Sequence, residues 1–82
     1  MLFEIGAEIR RERKRRGLSQ ASLAALLGMS RTTIGQIESG TIREIGVRKL
    51  LRLLEVLDLE LRVRPAGTPP TLDELREENE RP

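Results

Sequence analysis

Apolar residues recur at three- and four-residue spacing in blocks along this chain, and polar residues fill the intervening faces. That period is the mark of amphipathic helices. The first block predicts a helix from about Glu4 to Arg16 that buries Phe3, Ile5 and Ile9, with Gly17 as its C-terminal cap. The second block, QASLAALLGMSRTTIGQIES from Gln20 to Ser39, is the most constrained. Leu23, Leu27, Met29, Ile34 and Ile37 make its inward stripe, and Ser19 and Ser30 each precede a helical run as candidate N-caps. Ala24 fits a close crossing of two helices, and Gly28 fits a turn that needs φ > 0. Gly28-Met29-Ser30 is too short for an antiparallel return, so the second helix must cross the first steeply and project its outer face. An ordinary helical hairpin explains the stripes but not the coincidence of both caps with both small residues.

A fourth helix is expected over about Gly46 to Leu57, where Val47, Leu50, Leu51, Leu53, Leu54 and Leu57 cover more than one face. The core accounts for Val47, Leu50, Leu54 and Leu57, leaving Leu51 and Leu53 as candidates for a dimer interface. The period then changes. In LELRVR, residues 59–64, Leu59, Leu61 and Val63 alternate with Glu60, Arg62 and Arg64, as in a half-buried strand. A lone strand carries unpaired amides and carbonyls, so a ribbon formed with a second copy is the simplest partner. PAGTPP, residues 65–70, reads as a linker, and TLDELREENE after it has a capping box but only two leucines. That tail is expected to be flexible, or to dock on a partner protein.

The pattern thus predicts an all-α, compact four-helix unit over residues 1–58, a dimerisation strand over 59–64, and a linker with an acidic tail over 65–82. At 82 residues the chain buries only about 60 % of its unfolded surface, which dimerisation would supplement. Charge is divided unevenly: residues 1–70 hold 13 basic and 8 acidic groups, whereas 71–82 hold 2 and 5. A basic body suits a polyanionic partner. With no Cys and no His, the chain lacks disulfides, thiol chemistry and imidazole acid/base chemistry, and a reducing cytoplasm is the expected compartment. Phe3 is the single aromatic residue, which disfavours base-stacking modules for single strands and leaves duplex DNA. No Gly-rich phosphate loop, metal-ligand cluster or activated nucleophile is present, so neither an enzyme nor a cofactor is expected. Glu12 interrupts the apolar stripe of the first helix, placing it at the core margin or beside an arginine such as Arg52.

On the projecting face lie Arg31, Thr32, Thr33, Gly35 and Gln36, donors and a methyl-bearing hydroxyl suited to base edges in a major groove. The stretch IGAEIRRERKRRGLSQASLAALLGMSRTTIGQIESG resembles the Cro/C1-type (XRE) helix-turn-helix family of phage lambda repressor-like regulators, a likeness covering about residues 4–58. The resemblance implies base contacts from Arg31, Thr32, Thr33 and Gln36. It also implies phosphate contacts from Gln20, Thr41 and Arg43, and an ion pair between Arg13 and Glu38. The 59–64 strand departs from the common fifth helix and resembles HipB-like antitoxins, implying a strand that pairs with its copy in a second subunit, so Leu59, Leu61 and Val63 join Leu51 and Leu53 as expected dimer residues. The leading expectation is a homodimeric repressor reading a palindromic operator. The alternatives are an antitoxin that also binds a toxin protein, and a restriction-modification controller.

Overall fold

A computed structural model describes residues 1–67, which form four helices: α1 (Leu2–Arg15), α2 (Gln20–Leu27), α3 (Arg31–Ser39) and α4 (Val47–Val56). The expectations for residues 68–82, the acidic tail helix included, lie outside the described residues. Ile9 of α1, Leu23, Ala24 and Leu27 of α2, Ile34 and Ile37 of α3, and Leu53, Leu54 and Leu57 at α4 make one core. Met29 and Leu50 pack at its margin.

Both predicted serine caps form: Ser19 Oγ accepts from the Ser22 amide at 3.0 Å, and Ser30 Oγ from the Thr33 amide at 3.1 Å. The α2 terminus explains the turn. Gly28 has φ 66°, and its amide and that of Met29 bond back to the Ala25 and Ala24 carbonyls. This double closure satisfies the last carbonyls of α2 and redirects the chain into α3 within three residues.

Contact between α1 and α3 depends on a close approach that the sequence pattern did not disclose. A Cβ on Gly6 would lie 2.2 Å from the Ile37 carbonyl oxygen and 2.6 Å from that of Glu38. At the same seam a Cβ on Gly40 would come within 2.8 Å of the Phe3 Cα. The first turn of α1 therefore meets α3 through backbone rather than side chains. This corrects the expectation for Phe3: its main chain packs against Gly40, yet the residue is 70 % exposed.

Two further expectations are revised. Leu53 is fully buried, because the inward stripe of α4 runs Leu50, Leu53, Leu54, Leu57, so it belongs to the core and not to an interface. Val47, the first helical residue, precedes that stripe and is exposed. Glu12 is half-buried and pairs with neighbouring arginines, as expected, although the partners are Arg15 and Arg16 rather than Arg52. The hydrogen bond from Arg15 holds the Glu12 carboxyl below the usual carboxylate range. No strand occurs among the described residues, and 59–65 run without regular structure; the expected strand is one that forms only against a second copy. A single chain gives an alternating segment no ladder to join.

Candidate nucleic-acid interface

The short turn and the two caps set the outer face of α3 outward. Arg31, Thr32 and Gln36 are exposed there. Thr33 differs: it is half-buried, and its hydroxyl shares a 2.8 Å hydrogen bond with the Ser30 cap. Its hydroxyl is thus engaged in holding the start of α3.

Beside this face lies a cleft of about 640 Å³, lined among others by Thr33, Gln36, Thr41, Arg43, Gly46 and Lys49. Arg43 and Lys49 put two cations on its walls, and Thr41 hydrogen-bonds Ser39 at 2.8 Å, closing the end of α3. The sequence reading named Thr41 and Arg43 but missed Lys49. Its signal was available in retrospect, since Lys49 falls in the first turn of α4, next to the loop that carries Arg43.

Behind the face is a buried polar knot. Arg13 Nε donates to Glu38 Oε2 at 2.6 Å and Arg13 Nη2 to Glu38 Oε1 at 3.0 Å, a two-pronged pair. Arg13 Nη1 also donates to the Leu18 carbonyl at 2.8 Å, and the bonds to Glu38 keep the Arg13 guanidinium firmly protonated. Gln20 Nε2 donates to the same Glu38 Oε1 at 3.2 Å. One carboxylate thus joins α1, α2 and α3. Gln20 keeps a second amide hydrogen, available to an acceptor outside the protein.

Gly35 sits in the middle of α3, with only the Gln20 amide near a notional Cβ, at 3.8 Å. Ordinary contact at that distance leaves room for alanine. Gly35→Ala should stabilise the free protein by about 1 kcal/mol through helix propensity, raising the melting temperature by roughly 4–8 °C. A simultaneous loss of DNA affinity would mean that the duplex backbone or bases approach this position closely; unchanged affinity would rule that out.

Of the residues expected at the interface between copies, Leu51 and Leu61 are partly exposed, Val63 is almost fully exposed, and Leu59 is half-buried against the core. No described helix is long and apolar enough to cross a membrane.

Comparison with known proteins agrees with this geometry. Residues 9–63 match the family HTH_3, helix-turn-helix. Among solved structures, the restriction-modification controller protein C.AhdI from Aeromonas hydrophila is similar, with a TM-score of 0.64 and 37 % identity over 72 % of this chain and 88 % of that one. No curated protein matches. The capped helix pair, its projecting face and a family match spanning most of the chain establish that this protein belongs to the HTH_3 helix-turn-helix family of DNA-binding transcriptional regulators.

Proposed function

We propose that the chain binds a palindromic operator as a homodimer and represses transcription there, in the manner of a regulator controlling a restriction-modification operon. The observation that carries this reading is the outer face of α3, where exposed Arg31, Thr32 and Gln36 stand beside the cleft bearing Arg43 and Lys49. Arg31 suits the O6 and N7 of guanine and Gln36 the N6 and N7 of adenine, while Arg43 suits a phosphate. The restriction-modification setting follows the likeness to the controller protein, which extends over most of that protein's length. The toxin-binding alternative has no such support in the comparisons.

Dimerisation supplies the palindrome, because a two-fold protein reads two inverted half-sites about one helical turn apart. Leu51, Leu61 and Val63 offer apolar surface for that contact, and the 59–64 segments of two copies would complete each other's backbone hydrogen bonds.

Selection of bound sequences from random duplexes, with stoichiometry measured on the winners, tests the reading. Two chains should bind each inverted repeat. Arg31→Ala should relax one position per half-site, with a loss of about 1–3 kcal/mol in discrimination. Arg43→Ala should instead weaken all sequences alike and lower the salt slope by about 1 per subunit. An unchanged sequence preference in Arg31→Ala would show that α3 does not lie in the major groove as proposed.

A further inference from the structure

Residues 10–16 hold six cations, and the structure separates them by partner. Arg11 binds Glu8, Arg13 binds Glu38, and Arg15 and Arg16 both bind Glu12. Arg10 and Lys14 form no ion pair among the described residues, and both are exposed. They are also one helical turn apart on a single stripe, Phe3-Ala7-Arg10-Lys14, since residues three and four apart share a helix face.

That stripe adjoins the reading face. Arg10 lines a shallow cleft of about 210 Å³ with Gln20, Gly35 and Ser39, and Lys14 lines a neighbouring one of about 420 Å³ with Phe3, Ala7 and Ser39. Gln20 begins α2 and Gly35 is the midpoint of α3, so a duplex seated on α3 would bring its backbone alongside these clefts. The one carboxylate that lines these two clefts, Glu38, is buried and committed to Arg13 and Gln20. Little negative charge therefore opposes a phosphate there.

We propose that Arg10 and Lys14 form a second phosphate-binding row, which grips the duplex backbone on the α1 side of the recognition helix while the Arg43 and Lys49 cleft grips it on the other. This rests on the DNA-binding reading above and adds to it a footprint wider than the helix-turn-helix. The partner is the sugar-phosphate backbone of duplex DNA, selected by charge complementarity and by continuity with the α3 face. Because phosphates carry no base identity, the row contributes affinity and register but no sequence preference.

The test uses the full chain on a mixed-sequence duplex of about thirty base pairs and reads the slope of log K against log salt. Arg10→Gln with Lys14→Gln should lower the slope by about 1.8 per bound chain, at about 0.9 per phosphate contact. Arg15→Gln with Arg16→Gln removes the same charge from the other side of α1 and should leave the slope nearly unchanged. Equal losses in both double variants would reduce the effect to net charge and overturn the proposal, as would an unchanged slope in the first. Melting curves of both variants confirm that the fold is retained, since all four side chains are exposed. If the unaltered chain itself showed no salt-dependent duplex binding, the DNA-binding reading would fail first, and the two failures are thereby distinguished.

Discussion

Gly6→Ala should be the most damaging single methyl group that can be added to this protein. Alanine favours a helix by about 1 kcal/mol over glycine, so an exposed site would gain stability. At Gly6 the new Cβ falls 2.2 Å from one carbonyl oxygen of α3 and 2.6 Å from the next, both of them backbone atoms with no rotamer to yield. Either α1 lifts away from α3 or the end of α3 unwinds. We expect a net loss of about 3 kcal/mol, at the upper end of ordinary overpacking, and a melting temperature lowered by roughly 12 °C or more. Gly35→Ala, the same chemical change on α3, should move the melting temperature the other way. Equal behaviour of the two variants in a thermal scan would disprove the close approach of α1 to α3.

Arg13→Ala should cost at least as much. The Glu38 carboxylate would remain buried with Gln20 as its only neighbour from the present set, and the Leu18 carbonyl would lose its guanidinium donor. Breaking a buried pair from one side costs about 3–5 kcal/mol, because the remaining charge is left uncompensated. Urea unfolding should register that loss. The double change Arg13→Met with Glu38→Leu, which removes both charges, should recover most of it, since an apolar replacement of a buried pair is often near neutral. A loss below about 1 kcal/mol in Arg13→Ala would show that the knot is solvated and behaves as a surface pair.

The helix pair was legible in the sequence because its constraints are local. Ser19 and Ser30 act on amides three residues away, Gly28 answers a single backbone torsion, and the stripe from Leu23 to Ile37 follows one period. The Arg13 and Glu38 contact came from family resemblance, and no periodicity would have paired residues 25 apart. What escaped was set between elements. Phe3 was expected inside because apolar residues normally go there, but the Gly6 and Gly40 seam brings backbone to that spot first. Leu53 was assigned outward on a helix apolar around most of its girth, where composition leaves the rotation about the axis undetermined. The 59–64 segment shows the same limit from the other side, since its alternation states what it would pair with in a sheet but not whether a sheet is there.

Glu38 gathers one side chain from α1 and one from α2 onto an oxygen-bearing terminus rooted in α3. Three helices pinned at one point have little freedom to tilt independently, so in the proposed complex the reading surface would meet its target with its shape already fixed. Any mismatch of curvature or groove width must then be absorbed by the nucleic acid. Bending and twisting cost less at flexible pyrimidine-purine steps than in rigid tracts. Seated on DNA as proposed, a stiff reader of this kind would convert its own rigidity into selection for pliable sequence at base pairs that none of its side chains touch.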